Sequence, residues 1–385
     1  MGNLAAGNVA LFFGLSSFME PLQTEFGWSR TAIGLALTCL TLAVSLAAPV
    51  VGRLVDRHGG RRVALWSLPS AALGIAGLSL LGGSLVVFYV AYVFVALLGA
   101  GTLGLVYVPG ISATFDRHRG LALGIAFAGA GLAAFLFPLL LTPVIAEWGW
   151  RAGWLVLAAL PLLQWVLVAT QMPAFRMTPT ASLAPRTPGM GVPAAQALRS
   201  RRFRLLCGVF FLLALTLSGL VVNLVVLLRD HGLGASAAAG VASMVGVGII
   251  VARIGAGWLC DRWFAPRVAL GICAAAAVGC LCLMLADLRA VSAGALLIGL
   301  SVGAEMDLLA LLVSRYFGLL AQAEIFGMTY AAFNAGAMVS PLFIGGLQAM
   351  TGSYVPALLA SAVACVLAGA LVSRLGPYPR FSPSQ

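Results

Sequence analysis

Residues 52–62 read Gly-Arg-Leu-Val-Asp-Arg-His-Gly-Gly-Arg-Arg, and residues 257–267 read Gly-Trp-Leu-Cys-Asp-Arg-Trp-Phe-Ala-Pro-Arg. The second stretch repeats the Gly, Leu, Asp, Arg and final Arg of the first at a constant offset of 205 residues. Further along, Gly124, Pro138 and Gly149 match Gly327, Pro341 and Gly352 at an offset of 203. The chain therefore contains two copies of one unit. Each motif closes one long apolar run and precedes another, and apolar runs of 18 or more residues recur from end to end. A helix of that length crosses a hydrocarbon core roughly 30 Å thick.

The runs number twelve: 4–22, 31–52, 62–82, 85–108, 120–143, 152–171, 204–228, 236–258, 267–286, 290–314, 325–348 and 353–374. Six precede the middle of the chain and six follow it, so the copies share one orientation. That is the pattern of a parallel repeat about an axis along the membrane normal, with ligand bound near mid-membrane between the halves. Of 385 residues, 62% are apolar and 9% charged, too little charge to cover a soluble protein of this size. The runs are continuous and do not alternate, which excludes an outer-membrane barrel. The fold class is an all-α membrane protein with twelve transmembrane helices. The expected division is a six-helix bundle over 1–171, a cytoplasmic linker over 172–203, a second bundle over 204–375 and a cytoplasmic tail over 376–385. The linker holds five prolines, and its end, 194–203, can form a short surface helix.

A net charge of +11 could suggest a polyanion partner, but its placement argues for topology. Every basic residue is Arg, and 17 of the 22 fall on one side if the N-terminus lies inside. Arg53, Arg57, Arg61, Arg62, Arg117, Arg119, Arg262, Arg267 and Arg315 sit on the inner connections. The linker region, with Arg176 and Arg186, and the tail, with Arg374 and Arg380, supply the others. Only Arg30, Arg151, Arg229 and Arg289 fall opposite. This bias puts both termini in the cytoplasm of a multi-pass protein of the inner, or plasma, membrane. The seven cysteines lie within or at the ends of helices, so no structural disulfide is expected. The first 22 residues lack a basic leader and a cleavage site and read as the first helix, not a signal peptide. That helix opens almost at Met1, which raises the expectation of a longer or differently placed start.

The chemistry of the repeated motif is legible. Gly52 permits close helix approach, Asp56 can accept hydrogen bonds from a neighbouring helix N-terminus, and Gly59 and Gly60 supply a tight turn. Gly52, Asp56, Arg57, Arg62, Asp261 and Arg262 are the candidate conformational latch; topology and turn-making alone are the plainer reading. His58 reads as a solvated loop residue.

Residues 52–62 resemble the signature between the second and third helices of major facilitator transporters. The run from Thr114 and Phe115 through Arg117, His118, Arg119, Leu121, Ala122, Gly124, Ala126, Ala128 and Gly129 is similar to the monocarboxylate-carrier signature. It departs at Thr114, His118 and Ala133. Glu25-Phe26-Gly27-Trp28-Ser29-Arg30 and Gly149-Trp150-Arg151 also resemble that group and the related oxalate–formate exchangers. The acidic, aromatic-rich opening motif of the carriers is missing. The helix 1 Lys of many lactate carriers and the helix 11 Lys of oxalate exchangers have no counterpart in a chain without Lys, so neither substrate is inherited. The resemblance implies secondary transport of a small organic anion, a mono- or dicarboxylate, by proton symport or anion exchange. Proton-coupled efflux of drugs or other small molecules is the alternative. Against it, Gly129-Ala130-Gly131 has no adjacent Pro and the Arg expected near Val95 or Ala96 is absent.

Ionisable residues inside a membrane cost roughly 2.5–3.5 kcal/mol at the helix centre and are functional candidates by default. Arg253 in the eighth span and Glu305 and Asp307 in the tenth stand out. Arg253 is similar in position to the Arg implicated in carboxylate binding in these families, a task that suits a guanidinium fork. The Asp that many animal carriers place one turn earlier is Ile249 here. The other reading is that Arg253 pairs with the tenth span or reaches the headgroups. Glu305 and Asp307 project roughly 200° apart on a helix, so they cannot both face one cavity. Glu305 is the preferred proton-coupling carboxylate, with Asp307 the second candidate or a brace. Asn223, Tyr107, Tyr330 and Asn334 are candidate hydrogen-bonding groups for substrate, or they join helices. His58, His118 and His231 fall in loops on different sides, and no nucleophile, metal or phosphate-loop spacing appears. No catalytic residue, metal or cofactor is expected. The expected partners are the organic anion, a proton or counter-anion, and lipid, with no nucleic acid.

Overall fold

The computed structural model describes residues 7–115, 117–171, 191–230, 232–285 and 287–379. Arg176, Arg186, His231 and Arg380 lie outside the described residues. The helices are α1 (Gly7–Phe26), α2 (Arg30–His58), α3 (Gly60–Gly77), α4 (Leu85–Leu98), α5 (Val108–Thr114), α6 (Arg119–Gln171) and α7 (Ala194–Arg199). They continue with α8 (Arg201–Asp230), α9 (Ala235–Arg262), α10 (Ala265–Cys282), α11 (Leu288–Phe317), α12 (Gln322–Thr351) and α13 (Val355–Ser373). No strand occurs among the described residues beyond a single bridge between Gly191 and Gly318.

Ten helical stretches are long and apolar enough to cross a membrane. The polar second half of α1 keeps it out of that set, and α1 packs against α6. α6 is continuous in outline, but Gly149 has φ 79° and ψ 165°, a backbone that glycine adopts freely. It divides α6 into two arms, the fifth and sixth spans. Many helices outrun the apolar runs. α2 has 29 residues, about 43 Å at 1.5 Å per residue, so its last turns reach beyond a roughly 30 Å core. Those turns carry Arg53 and Arg57.

The fourth span is not a regular helix. After Leu98 it passes through 3₁₀ turns at Gly99–Thr102 and Gly104–Val106 before α5 resumes. Backbone groups released there find side-chain partners, as they must in lipid. Asn8 donates to the Gly99 carbonyl (3.1 Å), and the Ser67 hydroxyl accepts from the Gly101 N–H (3.1 Å). Helix starts are capped as the sequence dictates: Ser29 accepts from Ala32 N–H (3.1 Å) and Asp287 from Ala290 N–H (3.0 Å).

At the end opposite the arginine-rich face, the two short family-like segments meet. Glu25 accepts a hydrogen bond from the Trp150 indole and pairs with Arg151 at 2.9 Å. The Arg151 guanidinium lies 4.2 Å from the Trp150 ring centre, and Phe26 stacks on Trp28 at 4.7 Å. The Trp150 bond, then Arg151, holds the Glu25 carboxyl below its ordinary range.

The halves meet along two seams, α2 against α12 and α6 against α9. Both are backbone-to-backbone contacts made possible by glycine. A Cβ on Gly52 would overlap the Ala323 carbonyl, and one on Gly327 the Ala48 carbonyl. Across the other seam, a Cβ on Gly257 would overlap the Gly120 carbonyl and one on Gly124 the Arg253 carbonyl. The offsets of 205 and 203 carry each contact of one seam onto its counterpart in the other. Because the obstacle is backbone and not a movable side chain, Gly52→Ala must part α2 from α12, at a cost of about 1–3 kcal/mol. A lower melting temperature in detergent and faster modification of the arginine-rich end by a water-soluble probe are the expected results; an unchanged melting curve would count against the seam.

Candidate functional site

The arginine-rich end is closed by two equivalent sets of bonds. Asp56, in the last turn of α2, accepts from the N–H groups of Ala323 (3.1 Å) and Glu324 (2.8 Å) at the start of α12. Asp261, in the last turn of α9, accepts from Gly120 (2.7 Å) and Leu121 (3.0 Å) at the start of α6. The first N–H groups of a helix lack intrahelical partners and carry the positive end of its dipole, so a carboxylate satisfies both needs. Arg53 adds an ion pair to Glu324 at 2.9 Å, and Arg119 donates to Ser314 at 3.3 Å. The Gln322 amide donates to the Ser112 hydroxyl at 2.9 Å, closing the same face.

The three arginines of the candidate latch lie elsewhere. Arg57 is exposed and makes no hydrogen bond or ion pair among the described residues. Arg62 lines a surface groove between α2, α3 and α4 with His58 and Trp66. Arg262 lies flat on the Trp258 ring, 3.7 Å from its centre. These side chains point outward, because the residues that face the other half are set by the crossing of α2 and α9, and those are Gly52, Asp56, Gly257 and Asp261. Of the turn glycines, Gly59 has φ 85°, whereas Gly60 starts α3 packed on the Val106 carbonyl.

Away from that closed end a cavity of about 620 Å³ runs between the halves. Its walls come from α1, α2, α6, α8, α9, α11, α12 and the irregular part of the fourth span. Arg253 is the only charged residue in its lining among the described residues. Its Nη1 donates to Asp307 Oδ1 at 3.3 Å, and the side chains are 15% and 3% exposed, so the cation keeps access to the cavity while its partner does not. No other hydrogen bond is made by this guanidinium among the described residues. Glu305 is buried and within electrostatic reach of Arg253, and its Oε2 has no donor. Neither carboxylate lines the cavity; Met306, between them, does. The wide angular separation of the two acids therefore places both behind the wall, on either side of Met306. Gly124 of the opposite half sits beside Asp307, so the ion pair lies on the α6–α9 seam.

Tyr330 and Asn334 line the cavity; the buried Asn334 amide lies beside the Tyr330 hydroxyl, and its Nδ2 makes no close hydrogen bond among the described residues. Asn223 and Tyr107 do not. Asn223 turns back to the Gly219 carbonyl at 2.9 Å, and its helix presents Ser218 and Val222 instead. The Tyr107 hydroxyl is occupied by Gln164 at 2.8 Å, inside the first half. Residues not singled out from sequence complete the wall: Asn8, Thr38, Thr41, Phe12, Phe13, Phe127, Phe326 and Phe333. Two of them carried a signal. Asn8 is a polar residue in an apolar run, and Phe326, Tyr330 and Phe333 form an i, i+4, i+7 stripe on one face of α12.

A model of the Major Facilitator Superfamily matches residues 3–341. Among curated relatives, Monocarboxylate transporter 11 of Mus musculus is 29% identical over 341 residues, 83% of this chain and 73% of that one. The gallate transporter of Pseudomonas putida is 28% identical over 331 residues, 74% of this chain and 69% of that one. In fold, the chain is similar to a solved structure of the transporter FucP in the outward conformation. The TM-score is 0.75 at 14% identity, over 98% of both chains.

Burying Asp307 without its cation strands a charge, which typically costs about 3–5 kcal/mol, whereas replacing both partners by apolar groups is often neutral. Arg253→Met should therefore lower the melting temperature more than the Arg253→Met, Asp307→Leu double variant does. Equal losses in the two would mean that the ion pair is not coupled.

Proposed function

The chain belongs to the Major Facilitator Superfamily and is a multi-pass membrane transporter, and from that premise we propose that it carries a small organic carboxylate, mono- or dicarboxylate, by alternating access. The observation that carries this reading is the single guanidinium of Arg253 at the wall of an otherwise uncharged cavity. A carboxylate arriving there meets a fork that binds it through two parallel hydrogen bonds. The relatives named as monocarboxylate and gallate transporters carry acids, which supports the same assignment.

In this reading the arginine-rich end faces the cytoplasm with both termini, so the closed seams and the cavity together describe an outward-open state of an inner-membrane protein. Residues 1–171 and 204–375 are the two rocking bundles, joined by the linker 172–203 and followed by the tail 376–385. Asp56 and Asp261, aided by Gly52 and the Arg53–Glu324 pair, act as the latch. Tyr330 and Asn334 assist Arg253 in holding the substrate.

Coupling follows from charge balance. Arg253 faces two carboxylates, Asp307 and Glu305, before any substrate binds. A substrate anion adds a third negative charge to one positive charge, and in a low-dielectric site that excess is costly. Uptake of one proton by Glu305 or Asp307 returns the site to the charge it had before substrate bound. Glu305, without a donor to its Oε2, is the preferred carrier, and Asp307 is the group that competes with substrate for Arg253.

Carboxylate uptake into proteoliposomes tests both modes. For symport, an external acid pulse accelerates uptake; for exchange, uptake follows an internal counter-anion and ignores the pulse. Loss of a charge-assisted contact worth about 1.5–3 kcal/mol means that Arg253→Ala should lower uptake by about 10- to 100-fold. Glu305→Gln should retain exchange and lose the response to pH. Wild-type uptake by both variants, in correctly folded protein, would overturn the assignment.

A further inference from the structure

The cavity wall says more about the substrate than that it is an anion. Besides Arg253, its lining contains no acid and no second base among the described residues. Six aromatic residues do line it: Phe12, Phe13, Phe127, Phe326, Tyr330 and Phe333. Three of these form an ordered face on α12. Phe326 and Tyr330 have ring centres 6.0 Å apart and planes within 17°, and Tyr330 and Phe333 repeat this at 6.0 Å and 8°. Phe12 and Phe13 bring rings from α1 in the first half, and Phe127 brings one from α6.

Resting on the reading of Arg253 as a carboxylate site, we propose that the substrate is a monocarboxylate with a planar aromatic body. Its one charge meets Arg253, and its ring lies along the Phe326–Tyr330–Phe333 face. Three features of the wall select for this. A second carboxylate, or an ammonium group, would be moved from water to a wall of rings and aliphatic side chains with no opposite charge to meet it. A three-carbon acid would reach Arg253 and leave the aromatic walls untouched, in a volume of about 620 Å³ that falls in the range of sites for much larger ligands. Aromatic pairs, finally, add specific attraction in offset or edge-on geometries beyond the area they bury. Asn334, its amide beside the Tyr330 hydroxyl, stands on the same face to take a ring hydroxyl or the second carboxylate oxygen.

The test is displacement of radiolabelled benzoate from the purified full-length protein by unlabelled competitors. Saturable benzoate binding is expected, with lactate and succinate each at least about tenfold weaker as competitors, and with benzylamine and benzyl alcohol weaker still. Tyr330→Ala should weaken benzoate more than it weakens lactate. Should lactate or succinate compete as well as benzoate, the aromatic assignment falls while the carboxylate reading stands. Should benzyl alcohol or benzylamine compete as well as benzoate, and Arg253→Lys bind all of them as wild type does, the carboxylate reading falls with it. Absence of saturable binding by any of the three acids would sink both. The competitor series is measured on the unaltered protein, so it decides the matter even if a variant fails to fold.

Discussion

Closure of the arginine-rich end depends on four backbone N–H groups that receive two carboxylates. Asp56 and Asp261 each span the two halves and each take two donors from the first turn of a helix in the other half. A charge-assisted hydrogen bond contributes about 1.5–3 kcal/mol. The Arg53–Glu324 pair, with Arg53 half exposed, adds at most about 1 kcal/mol. The capping bonds therefore outweigh the more conspicuous ion pair. They form where glycine backbones touch at both seams, so the closing bonds and the close helix crossing are one feature. A closure made of a few short, directional bonds is well suited to switching, since parting the helices by a small distance breaks all of them together.

The duplication extends to atomic detail at the seams, yet the site is not duplicated. The offset of 205 residues carries Arg253 onto Ala48, and both offer their carbonyls to an opposing glycine, Gly124 and Gly327. The frame is symmetric; the charge is placed on one side of it. Because Gly124 also sits beside Asp307, the ion pair behind the cavity wall and the α6–α9 seam are neighbours. A change in the bonding of Arg253 is thus felt where α6 crosses α9.

What the sequence made legible follows from which physical signals are one-dimensional. Continuous apolar runs are such a signal and carry the fold class, and the repeat shows in the fixed offsets of the Gly, Asp and Arg positions. The Asp of the hinge motif was legible because a carboxylate at the end of a helix has few uses in that position. The cavity wall was not, because facing is set by helix rotation and crossing, which apolar runs barely encode: a lipid-facing and a cavity-facing Phe look the same. Asn223 and Tyr107 show this, since one bonds its own helix and the other a neighbour. The arginines near the motif illustrate a related point. Charge at the membrane edge reports on topology as well as pairing, and only the crossing geometry separates Arg53, which reaches Glu324, from Arg57, Arg62 and Arg262, which do not.

The company kept by Arg253 also bears on energetics. If one carboxylate takes a proton for each anion bound, the loaded site crosses the membrane with no net change of charge. The electrical potential, worth about 2.3 kcal/mol per elementary charge per 100 mV, then does no net work over the transport cycle. Accumulation would be set by the difference in acidity alone, about 1.36 kcal/mol for each pH unit. A cell with a large voltage and little pH difference would gain almost nothing from such a carrier, and one in acidic surroundings would gain most.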